Sequence, residues 1–421
     1  MVSPVRVAVI GAGYWGRKLV YEYLSAQCNK GNVRLAGVCD SSPSALQFCK
    51  EKFSVDDKLL TQSAEDLITH SKISAIHIAT PNRTHYDLAR MALEAGKDVL
   101  VEKPMTLSVR EAYKLVHLAA SRERVLHVGH IFRFNSALRK AREILDRGEI
   151  GETFYVRIQW TDSCYFPDRD IIFDLGPHPV DIMNQLLHSW PTQVSGFSKA
   201  YRNSKDHEEI AYALAEFDDG VFAHMELSWL HPRKAREVTL VGSDAAMVVD
   251  CLHQRIVLHR NGETVEVPVS ANNTIESEIS WFVDCANRRH LGVESGLIGA
   301  MTVEVLEAMR KSMWDRPLPT AQSVEHDHTA TMVSILESIG DGSTQTVLVN
   351  HVSAGNSGIE GYLETMTRLG LVRATTAQEG LRYEITETGL RFLRECEDIQ
   401  RDIGKDRLMQ RQKVPSGNVQ D

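Results

Sequence analysis

No stretch of about 18 consecutive apolar residues occurs in the chain, so no transmembrane helix is expected. Cysteine is sparse and unpatterned. The seven residues (Cys28, Cys39, Cys49, Cys164, Cys251, Cys285, Cys396) include no CxxC pair. That spacing offers no zinc site and suits free thiols in a reducing compartment. The opening MVSPVRVAVIGAG lacks a secretory-signal pattern and runs straight into a strand, so a cytoplasmic protein is expected. Positive charge is in deficit: 47 Lys and Arg stand against 56 Asp and Glu, a net of −9. This balance argues against a general polyanion binder, and nucleic-acid binding would need local support. Internal repeats and low-complexity tracts are also missing. What remains is ordinary globular composition, 43% hydrophobic and 24% charged. At 421 residues, the chain is too long for one ordinary domain of about 100–200 residues.

The first 130 residues alternate apolar runs with helix-period stretches. Val5–Ile10, Val33–Cys39, Ala75–Ala79, Asp98–Val101 and Val125–Val128 read as strands. Helical patterns lie near 15–26, 43–52, 83–95 and 108–121. Such alternation predicts a parallel sheet with helices on both faces. A helix is expected near 136–147, a strand over 153–160 and a helix near 177–189. Strand-like runs follow from Gln193 to Val267, some separated by Asp219-Gly220, Gly242-Ser243 and Asn261-Gly262. Hairpin punctuation of that kind predicts an antiparallel sheet. Helices near 273–289 and 295–313 close this second unit, and Asp315–Ser323, with two prolines, reads as a linker.

Gly11-Ala12-Gly13-Tyr14-Trp15-Gly16 follows a strand and opens a helix. Glycines there permit a tight turn and close approach of backbone N–H groups to a pyrophosphate, with the helix N-terminus adding partial positive charge. A glycine-rich turn without a ligand is the plain alternative. The next strand weighs against it by ending in Asp40, which can accept from both adenosine ribose hydroxyls and would repel a 2′-phosphate. NAD is therefore favoured over NADP, although Asp40 could instead cap the helix starting near Pro43.

Glu102-Lys103-Pro104 follows the strand KDVLV, at the carboxyl edge where open α/β sheets bind ligands. A lysine there can stabilise a developing alkoxide, and the proline can set the turn, including through a cis bond. Asp174 and His178 are four apart at an expected helix start, so they can share a face. A carboxylate beside the imidazole would orient it and raise its pKa, preparing it to take a proton from a secondary alcohol. Taken singly, Glu102-Lys103-Pro104 reads as a common surface tripeptide, and Asp174 with His178 reads more readily as a capping aspartate near a partly buried histidine.

Together with Thr80-Pro81-Asn82-Arg83-Thr84-His85, Gly129-His130-Ile131-Phe132-Arg133-Phe134 and Asp174-xxx-His178-xx-Asp181, these segments resemble the Gfo/Idh/MocA (glucose–fructose oxidoreductase / inositol dehydrogenase) family over about residues 5–320. The resemblance implies an α/β Rossmann domain over 1–130 and an α+β substrate domain with an open antiparallel sheet over 131–320. It implies NAD(P)-dependent hydride transfer at a carbinol of a sugar, cyclitol or nucleotide sugar. It makes Lys103 and His178 catalytic, with Asp174 as the histidine's partner. Gly11, Gly13, Tyr14, Trp15, Gly16, Asp40, Thr80, Pro81, Asn82, His85, Glu102 and Lys103 become cofactor contacts. Arg133, Asn135, Arg169 and Asp174 become substrate contacts, and no metal is implied. Where many members carry a Gly-Gly pair before the aspartate, this chain has Tyr165–Phe173. That resembles a subset linked to polysaccharide and nucleotide-sugar metabolism, with Arg169 placed to meet a phosphate. An open sheet needs a cover, so a homo-oligomer is expected.

Residues 325–412 resemble a winged helix-turn-helix domain of the kind found in small archaeal regulators. The pattern predicts helices around Met332–Ile339, over 347–351 and over 359–369, a two-stranded wing at Leu371–Ala374 and Arg382–Ile385, and a last helix carrying Leu390–Ile403. Glu325–Asp421 carries 10 Lys and Arg against 15 Asp and Glu, a net of −5. Phosphate neutralisation supplies most non-specific DNA affinity, so protein interaction or self-pairing is favoured over DNA here. A redox- or sugar-sensing regulator that binds DNA through this domain is the alternative to an enzyme. The complete Lys103, Asp174 and His178 set favours the enzyme.

Overall fold

Five apolar strands and one short one build the first sheet. They are β1 (Val5–Ile10), β2 (Val33–Cys39), β3 (Leu60–Thr61), β4 (Ala75–Ile78), β5 (Asp98–Val101) and β6 (Leu126–Val128). The computed structural model describes residues 3–164, 169–202, 208–288, 293–314, 332–339, 343–344, 356–377 and 380–394. Every pairing in this sheet is parallel, in the order β3-β2-β1-β4-β5-β6. β4 and β5 are buried along their whole length, as strands covered on both faces must be. The covering helices are α1 (Tyr14–Lys30), α2 (Pro43–Phe53), α3 (Ala64–Thr69), α4 (His85–Glu94) and α5 (Val109–Ser121). Helix α1 buries Gly16, Leu19, Val20, Tyr23 and Ala26, one stripe at helical spacing. The order reverses between β1 and β4, which opens a crevice at their carboxyl ends.

The chain continues through α6 (Ser136–Asp146) into β7 (Thr153–Thr161), then through α7 (Ile171–Leu175) and α8 (Pro177–Leu187). Next come β8 (Gln193–Lys199), β9 (Ile210–Glu216), β10 (Phe222–Ser228), β11 (Ala235–Gly242), β12 (Ala246–Asp250), β13 (Arg255–Arg260) and β14 (Glu263–Val267). The eight strands run β14-β13-β12-β11-β7-β10-β9-β8. The expected all-antiparallel sheet is corrected in one place: β10 pairs parallel with β7. Strand β7 enters the sheet before α7 and α8, and β10 comes back beside it in the same direction after the β8–β9–β10 meander. One face is buried, with Ala211, Ala213 and Ala215 alternating inward along β9. The other presents Tyr155, Tyr212, Leu214 and Phe222.

Helix α10 (Val293–Trp314) packs on α5, β6, α8 and β8, while α9 (Thr274–Arg288) packs on α1 and β1. Ile279, Phe282 and Val283 of α9 belong to the core of the first sheet, although α9 follows the second sheet in the chain. Residues 1–317 form one compact unit and 318–421 another.

Helix α9 also buries Glu278 completely, with neither carboxylate oxygen hydrogen-bonded. His127 Nε2 lies 3.9 Å from Oε1. Burial, then the fields of Glu102 and Asp181, push the Glu278 carboxyl well above its ordinary range. Burial pushes His127 down to about 3, so this imidazole is neutral. The native state therefore keeps a proton on Glu278 that the unfolded chain releases above the ordinary carboxyl range. Stability contributed by this site is full below that range and declines as pH rises. Glu278→Gln, which cannot ionise, should raise unfolding stability at pH 8 by on the order of 1–3 kcal/mol and have little effect at pH 4. Urea unfolding at the two pH values measures this; an equal effect at both would contradict it.

In the second unit, a helix over 332–339 and a helix over Asn356–Arg368 pack Ile335, Leu336, Ile339, Leu363 and Met366 against Leu371, Val372 and Tyr383. Strands Val372–Ala377 and Gly380–Ile385 form the wing, and Ser343–Thr344 adds an unexpected third strand beside the latter. Thr386 accepts from Gly389 N, capping a helix over 387–394. The expected linker, the helix over 347–351, the end of the last helix and residues 165–168 lie outside the described residues.

Candidate active site

The crevice begins at the turn after β1. Gly11 has φ +99, and a Cβ there would lie 2.4 Å from the Ala79 carbonyl oxygen, so only glycine fits. A Cβ on Gly16 would meet the Gly11 carbonyl oxygen at 1.8 Å, so its absence lets α1 close on the turn. Gly13, the N-cap of α1, differs: nothing lies within 4 Å of where its Cβ would stand. Space free of protein in front of a helix N-terminus fits a dinucleotide pyrophosphate. Gly13→Val should therefore leave the melting temperature unchanged and weaken NADH binding at least tenfold. Fluorescence titration checks this, and an unchanged NADH affinity would contradict it.

Asp40, at the end of β2, accepts from Ala12 N at 2.7 Å and from Ser42 N at 2.8 Å. It does not cap α2, whose N-cap is Ser42; it holds the turn after β2 and braces the glycine turn. Each carboxylate oxygen keeps acceptor capacity for a ribose hydroxyl. Tyr14 is 80% exposed at the lip, with Lys18 over its ring. The Trp15 indole donates to Glu102 Oε1, while His77 Nε2 stands 3.5 Å from the same oxygen. Gly129 leaves room for this carboxylate, since its own Cβ would fall 2.8 Å from Glu102 Oε2.

Thr80, Pro81 and Asn82 follow β4 and enter a short turn, where Thr84 bonds Thr80 Oγ1 at 2.7 Å. His85 is corrected as a cofactor contact. It is completely buried, with Nδ1 2.8 Å from the Pro104 carbonyl and Nε2 2.9 Å from that of Thr80. Both ring nitrogens are occupied in joining the turn after β4 to the turn after β5. The Lys103–Pro104 bond of that second turn is cis.

Lys103 Nζ donates to the Asp174 carbonyl at 2.7 Å and stands 3.8 Å from its carboxylate. Motifs 71 residues apart thus meet at one point. The expected Asp174–His178 pairing is corrected. Two cations draw the Asp174 carboxylate away, Lys103 and Arg169, the latter at 3.3 Å. His178 instead lies against aromatic rings, 4.9 Å from Phe132 and 5.7 Å from Trp160 between centroids. Its Nδ1 is buried without a partner. Its pKa goes down, not up: burial pushes it well below the ordinary imidazole range, and Lys103, His130 and Arg236 add to this.

Two residues read as substrate contacts have structural tasks. Asn135 is buried and caps α6, accepting from Ala137 N and Leu138 N and donating to the Cys251 carbonyl at 3.0 Å. Arg133 donates to Asp181 and Asn184, both at 2.6 Å, which ties it to α8. Residues not expected from the sequence are Trp160 and Arg236. The Arg236 guanidinium lies 5.0 Å from the Trp160 ring centroid, and Asp162 is its carboxylate partner. For Arg236 the sole sequence signal was the basic run 233–236.

Among the described residues, no His, Cys, Asp and Glu cluster could hold a metal, and no helix is long and apolar enough to cross a membrane.

Comparison with known proteins agrees with this architecture. Residues 5–130 match the oxidoreductase family model with an NAD-binding Rossmann fold, and 138–248 match the GFO/IDH/MocA C-terminal domain. Residues 327–403 match a winged helix-turn-helix model. The UDP-N-acetylglucosamine 3-dehydrogenase of Acidithiobacillus ferrooxidans is 29% identical over 66% of this chain and 88% of its own length. Its solved structure superposes with a TM-score of 0.65 at 24% identity, covering 74% of this chain and 98% of that one. The scyllo-inositol 2-dehydrogenase (NAD(+)) of Bacillus subtilis is 24% identical over 72% of this chain and 93% of its own. The D-xylose 1-dehydrogenase [NADP(+)] of Haloarcula marismortui is 23% identical over 72% and 90%.

Proposed function

Because the chain belongs to the Gfo/Idh/MocA oxidoreductase family, we propose that it is an NAD(P)-dependent dehydrogenase acting on a CH–OH carbon of a sugar, cyclitol or nucleotide sugar. The observation that carries this reading is the contact of Lys103 with Asp174 at the carboxyl edge of a parallel sheet, with His178 four residues on at the start of α8, beside a turn whose Gly13 leaves room for a pyrophosphate.

The nicotinamide dinucleotide supplies the hydride acceptor or donor. Gly11, Gly13 and the N-terminus of α1 hold its diphosphate, and Asp40 holds the adenosine ribose. Tyr14, Trp15, Thr80, Pro81, Asn82 and Glu102 line the rest of that crevice. Lys103 places a fixed cation beside the substrate oxygen and stabilises alkoxide character there. His178 is kept neutral, so it can accept the hydroxyl proton as the C–H bond breaks. Nδ1 is buried, which leaves Nε2 to receive that proton. In the reducing direction the same nitrogen returns it. Asp174 positions Lys103 rather than His178, through both its carbonyl and its carboxylate.

Asp40 supports NAD over NADP, since a 2′-phosphate would face its carboxylate. NADH should bind at least tenfold more tightly than NADPH, and Asp40→Ser should narrow the gap. Paired titrations decide; a wild-type preference for NADPH would contradict this. The regulator reading stands second: the winged-helix match favours it, while the net charge of −5 over Glu325–Asp421 weighs against a DNA surface.

A further inference from the structure

Strand β4 is buried along its whole length, yet it reads Ala75-Ile76-His77-Ile78. In the strand register His77 stands between Val9 of β1 and Leu100 of β5, where an apolar side chain would pack without a desolvation cost. It is completely buried, and so is Tyr23 of α1, whose hydroxyl lies 3.1 Å from His77 Nδ1. The two rings meet edge to face. On the other side of the imidazole, Nε2 faces Glu102 Oε1 at 3.5 Å and has no hydrogen-bond partner among the described residues. A buried polar atom in that state calls for an explanation, and the carboxylate beside it supplies one.

A carboxylate only accepts, so the imidazole hydrogen belongs on Nε2, turned toward Glu102. In the neutral ring Nδ1 then accepts, and the Tyr23 hydroxyl donates to it. Burial pushes the Tyr23 phenol well above its ordinary range, and the fields of Glu278 and Glu102 add to this, so that donor stays protonated. Strand order gives the carboxylate its place. Asp40 follows β2, the glycine turn follows β1, and Glu102 follows β5, on the far side of the point where the order reverses. A dinucleotide with its adenosine at β2 and its diphosphate at β1 carries its nicotinamide-side ribose toward β5. Trp15 and His77 both address Oε1, which leaves Oε2 of Glu102 to accept from a ribose hydroxyl.

We propose that Tyr23 and His77 are positioning residues for the cofactor: they fix Glu102 so that it receives the ribose on the nicotinamide side. Helix α1 then acts on both halves of the dinucleotide. Its N-terminus meets the diphosphate, while Trp15 directly and Tyr23 through His77 hold the carboxylate that meets the second ribose. This rests on the dehydrogenase reading and extends its cofactor site two residues into the core.

The full chain is titrated calorimetrically with NADH, ADP-ribose and ADP, as wild type and as three variants. ADP-ribose keeps the ribose in question, and ADP lacks it. His77→Leu should weaken NADH and ADP-ribose about tenfold and leave ADP unchanged. His77→Gln, whose amide N–H can stand near the place of Nε2, should recover most of that loss. Tyr23→Phe keeps the ring and removes only the donor, so it should show the same pattern with a loss of about threefold. A histidine that merely fills the core gives another result: no change for any ligand, or an equal loss for all three with glutamine no better than leucine. Either would overturn the proposal. If His77→Leu does not fold, Tyr23→Phe decides, and an unchanged affinity for ADP-ribose overturns the proposal. Failure of the wild type to bind NADH would instead remove the dehydrogenase reading beneath it.

Discussion

Replacing Lys103 with alanine should lower turnover by about 10²–10³-fold while NADH affinity stays at the wild-type value. The size of the loss follows from position. Lys103 is the cation bonded to the Asp174 carbonyl, with a side chain only 19% exposed. A charge held there needs little reorganisation when alkoxide character develops, and the screening that weakens surface charges is reduced. Lys103→Arg should not restore the rate, because a planar guanidinium cannot take the place of a compact ammonium. Steady-state rates beside an NADH titration make the comparison. Full activity in Lys103→Ala would remove the lysine from the mechanism, and parallel loss of NADH binding would make it a cofactor ligand only.

Replacing His178 with alanine should cost about 10²–10⁴-fold in the oxidative direction. The pH profile makes this prediction specific. The working base is neutral imidazole, and burial together with Lys103 depresses its pKa. Activity dependent on this group is full above that pKa and falls as pH drops through it. The acid limb of the wild-type profile should thus lie well below pH 6.5, the unperturbed imidazole value. Removing the charge in Lys103→Met lifts one of the depressing fields, so the residual activity should show its acid limb at higher pH. An acid limb at or above the ordinary imidazole value in the wild type would contradict the role given to His178.

Features set by adjacent residues were legible in the sequence. The glycine turn, the strand before it, the carboxylate ending the next strand and the prolyl turn after β5 all depend on local steric and hydrogen-bonding rules. The short β3 was missed because two residues carry no periodicity. The parallel β7–β10 pair was missed because hairpin signals describe neighbours in sequence, while this pairing is made between distant segments. Side-chain direction was the least legible property. Asp174 and His178 do sit four apart, yet the carboxylate turns to Lys103 and Arg169, since charge partners from other elements outweigh local spacing. His85 and Asn135 lie beside the site in sequence but face inward, each completing backbone hydrogen bonds that burial would otherwise leave unmet. Arg236 became visible only when β11 was laid beside β7.

The central claim is that Lys103 and His178 carry out proton and charge handling for hydride transfer to a nicotinamide. The most direct measurement is the near-ultraviolet absorbance of reduced nicotinamide with wild type, Lys103→Ala and His178→Ala. Each is supplied with NAD or NADP and a panel of nucleotide sugars, sugar acids, neutral sugars and cyclitols. The predicted result is reduction by the wild type with at least one member of the panel, and its loss in both variants while they still bind NADH. No reduction by the wild type with any member, or undiminished reduction by either variant, would contradict the claim.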